Sequence, residues 1–401
     1  MIDSSGNHPR RTRSFIVALG SIALIGPLAI HLFLPAIPAI KSSLQVSDAL
    51  AQFSFSISLF AMAFATLLYG SLADTFGRRP VLLSGLAIFV VGGIISVAGS
   101  TIEMLLLGRL VQAAGAGCGL TLVRTIARDA FGAERLVQAI AYLTMFYTLG
   151  PMISPVVGGI LVDHFGWRSI FVFSLLAGGA ITLGAVLVIP ETRPPQPVHA
   201  PRPGLIRSYA SLFGTLRFTA FVLQTGFSTA AFMTLAAASS TLMQELLNRP
   251  ATEYGTYFLM APMGFLLGNF VSGRLGRRFP NEVMVMTGAA LSFFTIAVQA
   301  TLLVFGILHP LTLFIPGFFI TFAQGIALPY AQSGAMGTVP SLAGTAAGIG
   351  VFLQHFMGAS ATQLYGLIAN GTPEPMLYIM LISSGLSLLF GILPAMHRSG
   401  P

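Results

Sequence analysis

The sequence predicts an all-α membrane protein: twelve transmembrane helices in two six-helix bundles. Three observations carry this reading. The chain of 401 residues is 55% hydrophobic and only 8% charged, with mean hydropathy +0.84. Soluble domains carry roughly a quarter charged residues, and a chain so poor in charge cannot cover a water-facing surface. Windows free of Asp, Glu, Lys and Arg recur at the length of about 20 residues that a spanning helix needs. Basic residues gather on alternate connections between those windows.

The windows fall, in order, at 14–40, 49–73, 80–102, 104–123 (interrupted by Arg109), 136–162 and 169–190, then 218–244 and 254–273. A charge-free stretch from Val283 to Pro373 holds three more, divided at His309-Pro310 and between Tyr330 and Pro340 into 283–306, 311–332 and 342–369. The last is 375–397. A strand barrel is excluded because its period-two alternation in roughly ten-residue pieces is absent.

Sixteen of the 20 Lys and Arg lie at the N-terminus and on every second loop: Arg10, Arg11 and Arg13, Arg78 and Arg79, Arg124, Arg128 and Arg135, Arg193, Arg202, Arg207 and Arg217, Arg274, Arg277 and Arg278, and Arg398. The opposite face has Lys41, Arg168 and Arg249. By the positive-inside rule the basic face and both termini are cytoplasmic, so the expected location is the bacterial inner membrane, crossed many times. The net charge of +8 is then a topology signal and an attraction to anionic headgroups, with no need for nucleic acid. The basic start followed by an apolar run is not a signal peptide, because the run is too long and eleven more follow. The single cysteine, Cys118, permits no internal disulfide.

The longest connection, from Glu191 to Arg217, contains Pro194, Pro195, Pro197, Pro201 and Pro203. Proline removes donors and resists helix, which predicts an extended cytoplasmic linker. The expected organisation is a cytoplasmic N-terminus at 1–13, a first bundle at 14–190, the linker at 191–217, a second bundle at 218–397 and a cytoplasmic C-terminus at 398–401. Two bundles around a midplane cavity suit a rocking transporter. A weak repeat agrees: Gly70 to Pro80 reads GSLADTFGRRP and Gly273 to Pro280 reads GRLGRRFP, at the same point of each half.

Four segments carry functional signal. In the loop after span two, Gly70 and Gly77 permit a tight turn and close backbone approach, and Asp74 can pair with Arg78 or Arg79 or sit at the positive N-terminus of a neighbouring helix. In span five, Pro151 and Pro155 lie one turn apart, while Gly150, Ser154 and Gly158 form a small stripe that lets another helix approach, with Gly159 beside it. In span four, Arg109 costs about 2.5–3.5 kcal/mol to insert and therefore needs protein or water around it. Gln112 follows on nearly the same face. Two roles compete for Arg109: a bridge to carbonyls freed in span five, and proton coupling. In span one, Pro27, His31 and Pro35 lie one turn apart on a single face, which suggests a cavity role for His31. His355 in span eleven, on the face of Gly348 and Val351, is a weaker candidate.

The sequence from Gly70 to Pro80 resembles the cytoplasmic signature of the major facilitator superfamily. Gly150 to Gly159 is similar to its drug-antiporter signature, with Ser154 at a position often filled by glycine. Leu107 to Gly117 resembles the family's Arg-x-x-Gln-Gly element with Ala113 at the glycine. With span one, the chain resembles the bicyclomycin and chloramphenicol resistance branch, where His31 replaces the usual Asp. The resemblance implies the major facilitator fold and a secondary active multidrug exporter working by alternating access. It also implies that Asp74, Arg78 and Arg79 latch the cytoplasmic side in the outward-facing state, and that His31, Arg109, Gln112 and His355 serve substrate binding or proton coupling.

No nucleotide loop, nucleophilic triad or metal spacing is present, so an enzyme, a cofactor and a bound metal are not expected, and the driving force is an ion gradient, most simply protons. The expected partners are a small-molecule drug and the lipid bilayer, with no nucleic acid, and the working unit is a monomer. An uptake symporter or facilitator, and a membrane protein that transports nothing, are the alternatives. All 12 acidic residues fall outside the spans or at their edges, which predicts neutral or weakly anionic polar substrates of the amphenicol or bicyclomycin kind over quaternary cations.

Overall fold

The computed structural model describes residues 8–193, 205–276, 278–339 and 342–396. Among the described residues there is helix and no strand, as a bilayer requires of an open chain whose backbone groups must be satisfied internally. Eleven helices are long and apolar enough to cross a membrane. The remaining predicted span, span eleven, is a helix, Ala343–Ile368, but Gln354, His355 and Gln363 make it more polar than the others. It packs between spans two and seven, so its amides meet protein: Gln363 Oε1 accepts from Ser56 Oγ at 2.7 Å.

The spans begin where short polar residues can hold the first free N–H groups. Ser47 Oγ accepts from Leu50 N ahead of span two (Asp48–Phe76), and Thr101 Oγ1 from Met104 N ahead of span four. His309 and Thr312 cap span ten (Pro310–Thr338) reciprocally. Span three is Arg78–Ala98 and span six Ser169–Val188. Spans four and five (Ile102–Phe131 and Tyr142–Phe165) belong to one uninterrupted helical stretch, so the loop expected between them is itself helical. Span seven is Leu216–Thr241, closed by a wide turn at Leu242–Leu246, and span eight runs Ala251–Phe258 and then Met260–Leu275. Spans nine and twelve are Asn281–Val304 and Glu374–Met396. Large side chains such as Leu68, Ile94, Leu183, Leu187, Phe294 and Ile382 are exposed around the outside, where lipid tails replace water.

Two expectations are corrected. Span one is not one continuous helix: it runs His8–His31, passes through a tight turn at Leu34–Ala36 and resumes as Ile37–Leu44. Pro35 has no N–H to give the His31 carbonyl, so the helix ends there, although Pro27 and Pro35 both still pack on span five, against Gly150 and Gly158. The linker is not extended throughout, because Leu205–Phe213 is helical. Its prolines end at Pro203, and Leu212 buries itself beside Phe218 and Phe221 at the foot of span seven. Pro194, Pro195, Pro197, Pro201, Pro203 and Pro340 lie outside the described residues, as do Arg202, Arg277 and Arg398, and the side chains of Arg10, Arg11, Glu134, Arg135 and Arg207.

Candidate functional site

The two halves meet most tightly on the face opposite the basic loops. There Lys41 bridges Asp48 of its own half at 2.7 Å and Glu245 of the other at 2.8 Å. Ser240 Oγ donates to Leu34 O at 2.7 Å and Gln244 Nε2 to Pro35 O at 3.1 Å. Leu34 O also accepts the backbone N–H of Ile37, so this carbonyl serves both the break in span one and the contact between the halves. Asp163, at the end of span five, accepts from the backbone N–H groups of Ala251 and Thr252 at 3.0 and 2.7 Å, and from Thr252 Oγ1 at 2.6 Å. It thereby places a negative charge on the positive end of span eight.

The small stripe of span five lies under this seal. A Cβ added at Gly150 would stand 2.3 Å from Pro27 Cβ, and one at Gly158 2.5 Å from Leu32 O. Gly159 faces the other half, where a Cβ would stand 2.4 Å from Ala251 O. Span eight reciprocates: Gly255 approaches Pro155 O, where a Cβ would have 2.3 Å. Ser154 is buried between them and Pro151 is half-buried. The stripe thus joins span five to span one on one side and to span eight across the halves on the other.

His31 sits at the inner edge of the seal, 6% exposed, its ring 6.0 Å from that of Phe258 in span eight. Its Nδ1 has no hydrogen-bond partner among the described residues. His355 lies close enough to interact with it electrostatically, and donates its Nδ1 hydrogen to Val351 O at 2.9 Å. His31 and His355 thus stand in opposite halves, in spans one and eleven.

Arg109 and Gln112 belong elsewhere. Arg109 is 2% exposed inside the first half, where Nη2 donates to Ala29 O at 2.9 Å, Nε to Ser54 O at 3.4 Å and Nη1 to Gln112 Oε1 at 3.2 Å. Its guanidinium stands 4.2 Å from the centre of the Phe33 ring. The expected bridge to carbonyls of span five is not made; the acceptors come from spans one and two. Ala29 is available because the helical ladder ends at His31, so its carbonyl lacks the donor four residues on. Gln112 is fully buried and donates to Ser174 Oγ at 3.2 Å.

On the basic face, Arg78 donates to Asp74 Oδ1 at 2.5 Å and to Asp129 Oδ2 at 3.0 Å. Arg79 donates to the carbonyls of Ile189 and Val186 at 2.8 and 3.0 Å. Glu191 Oε1 and Oε2 accept the backbone N–H groups of Arg78 and Arg79 at 3.0 and 3.1 Å. Partial burial works against the Glu191 carboxylate, yet these donors, with the N–H groups of Arg193 and Thr192, hold its pKa below the ordinary 4.5. Gly77 has φ +102°, which favours glycine, and a Cβ there would stand 2.7 Å from Glu191 Oε2 and displace that carboxylate from its donors. Gly70 is not part of a turn: it lies within span two, where a Cβ would make ordinary contact with Thr121 at 3.8 Å. Asp129 and Glu191 were not singled out from the sequence. The only local sign of Glu191 is that it directly follows the proline ending span six.

On the basic side, a cavity of about 90 Å³ is lined from both halves, by Arg124 from span four and by Phe221, Thr225, Gln332, Met336 and Gln354 among residues of spans seven, ten and eleven.

The sequence profile described as Major Facilitator Superfamily matches residues 19–362. Multidrug resistance protein D of Escherichia coli (strain K12) is 28% identical over 394 residues, covering 97% of this chain and 97% of that protein. The Bicyclomycin resistance protein homolog of Haemophilus influenzae is 24% identical over 384 residues, 93% of this chain and 94% of that protein. Among solved structures, a bacterial homolog of the human lysosomal transporter Spinster superposes with TM-score 0.78 at 17% identity, covering 99% of this chain and 100% of that one. A D-xylose-proton symporter superposes with TM-score 0.76 at 13% identity, covering 97% and 98%.

Proposed function

The chain belongs to the Major Facilitator Superfamily, a family of multi-pass membrane transporters, and from that premise we propose that it exports small drug-like molecules by alternating access. The observation that carries the reading is the span-five stripe. Gly158 and Gly159 put span five in backbone contact with Leu32 on one side and Ala251 on the other, so one helix ties the first half to the second at the sealed face. With the basic face cytoplasmic, as the positive-inside rule has it, this is the cytoplasm-facing state, ready to load a substrate from inside the cell. The names of the similar proteins, which speak of multidrug and bicyclomycin resistance, support export of antibiotics.

The transport is driven by an ion gradient, most simply by protons entering as the drug leaves, and a monomer suffices because both halves of the site lie in one chain. His31, beneath the seal, and His355, in the other half, are the candidates for binding the coupling proton. Arg109 and Gln112 serve it indirectly, by fixing the broken end of span one on which His31 stands. The Asp74, Arg78 and Arg79 cluster braces spans two, three and four for the opposite, outward-facing state. The substrates are neutral or weakly anionic drugs of the amphenicol or bicyclomycin kind.

The test is accumulation of a radiolabelled amphenicol in energised cells expressing the chain. Accumulation should fall severalfold below the level of empty-vector cells and recover when an uncoupler collapses the proton gradient. A rise on expression would identify an importer, and no change would remove the export reading.

A further inference from the structure

The cytoplasmic-side cavity carries a feature that export of neutral drugs does not use. Arg124 lines it as an exposed cation, and among the described residues no carboxylate pairs with it. Among the described residues, nearby acids are committed elsewhere: Asp129 is shared by Arg78 and Arg128, and Glu191 by backbone donors. Nor can the second half supply a partner when this side closes. Its carboxylate on this side, Glu282, is 5% exposed at the side chain and held by Arg217, while Glu245, Glu253 and Glu374 stand at the opposite ends of their helices.

Gln354 lines the same cavity. Its Nε2 is buried behind that wall and has no hydrogen-bond acceptor among the described residues, so a side-chain rotation presents it to a ligand. A buried amide donor left unmade costs about 1–3 kcal/mol, so the site is short of an acceptor. The aromatic face of Phe221 and the thioether of Met336 supply apolar wall beside these donors. A cavity of about 90 Å³ is far smaller than the roughly 300–1,000 Å³ that holds a whole drug, so it takes a small acidic head while the rest of the ligand lies outside it.

We propose that Arg124 and Gln354 form an anion subsite at the cytoplasmic mouth, which selects amphiphilic monoanions bearing a carboxylate or similar acceptor group. This rests on the transport reading given above and narrows its substrate class. Guanidinium and carboxylate pair through two parallel N–H···O bonds, and Gln354 Nε2 completes the coordination of the acid.

The experiment measures binding of an amphenicol and of its succinate monoester to the purified full chain in nanodiscs. The two probes differ by one carboxylate, and the readout is the ratio of their Kd values. In the wild type the ester should bind more tightly. Arg124→Gln should lower its advantage about tenfold and Gln354→Ala about threefold, while Arg124→Lys retains most of it. Arg128→Gln, a basic change outside the cavity, controls for the general surface field. The same ratio in Arg124→Gln as in the wild type, an equal loss in Arg128→Gln, or no binding of the ester by the wild type would each overturn the subsite. If Arg124→Gln fails to reach the membrane, Gln354→Ala decides on the same ratio. Accumulation of the parent amphenicol in cells tests export separately: intact ester selectivity without efflux would remove the exporter and leave the subsite.

Discussion

Asp163, in the last turn of span five, accepts both the backbone N–H of Thr252 at 2.7 Å and its hydroxyl at 2.6 Å, across the boundary between the halves. With Ala251 N, three donors converge on one carboxylate at the start of a helix, where the dipole also favours negative charge. Asp163→Ala should release about 1–3 kcal/mol of this seal and move the population toward the outward-open state. A cysteine placed at Ala36, fully buried in the seal, reports the change. Its labelling by a membrane-impermeant maleimide should accelerate about fivefold in the Asp163→Ala background, and an unchanged rate would show that the contact does not hold the seal.

Span five can be tested through its glycines. Gly158→Leu and Gly159→Leu place side chains where even a Cβ would meet backbone oxygen at 2.5 and 2.4 Å, so both should abolish efflux. Gly184 has nothing within 4 Å of an added Cβ, and Gly184→Leu in span six should keep efflux within about twofold of wild type. Pro151→Ala should slow efflux or make it leaky. Efflux normalised to membrane abundance separates these outcomes, and normal transport by Gly158→Leu would sink the packing argument.

On the basic face, Arg78 is the shared partner of two acids, with its side chain 6% exposed and that of Asp129 7%. Arg78→Ala would leave the buried Asp129 only the longer contact to the exposed Arg128, at 3.6 Å, so membrane abundance and thermal stability should both drop. Asp74, with its side chain 33% exposed, is the milder loss: Asp74→Asn should insert normally and turn over slowly. The Glu191 anchor has a definite pH sign. A carboxylate whose pKa is lowered on folding contributes stability above its ordinary value and loses it as pH falls through the folded value. For Glu191 that loss begins only below 4.5, so the anchor holds throughout physiological pH. Glu191→Gln should therefore lower the melting temperature at pH 7 and narrow the gap from wild type at pH 3.5, and a gap independent of pH would contradict the charge argument.

How much of this was legible follows from the range of each interaction. Spans are local: charge-free runs, Ser47 and Thr101 before helices, and His309-Pro310 between them all act within a few residues, and the windows read from them coincide with helices. The break in span one is also local, since Pro35 follows His31 by four residues, but the regular spacing of Pro27, His31 and Pro35 masked it as a continuous face. The helix at Leu205–Phe213 was hidden by prolines that stop just before it. What the sequence does not carry is pairing at a distance. Asp163 and Thr252 are 89 residues apart and Arg79 and Glu191 112 apart, and nothing near Asp163 or Glu191 marks which helix start each will meet. Gln112, three residues on, was a legible partner of Arg109, but the backbone partners were beyond reach, because the Ala29 carbonyl becomes an acceptor only once the helix around it has ended.

His31 poses the sharpest test of coupling. It replaces the Asp found in the resistance branch that the chain resembles, and protonation adds charge to an imidazole where it removes charge from a carboxylate. In the structure it is 6% exposed beneath the seal, with Phe258 near its ring, His355 within electrostatic range and an Nδ1 that has no hydrogen-bond partner among the described residues. A proton or a substrate acceptor arriving when the seal opens therefore finds an unoccupied nitrogen, and the charge placed there would push on His355 in the other half. If this is the coupling site, His31→Ala should flatten the pH dependence of efflux while a neutral amphenicol is still carried by counterflow, which needs no gradient. His31→Asp should restore a carboxylate to the midplane and extend transport toward quaternary cations, because it offsets their loss of hydration. His355→Ala separates the pair: it should shift the pH profile without flattening it, since His31 keeps its site and loses only its neighbour. Counterflow in vesicles with a neutral amphenicol and a quaternary cation over a pH series reads all three variants. Strong wild-type transport of the cation, together with an unaltered pH profile in His31→Ala, would remove both the charge selectivity and the role given to His31.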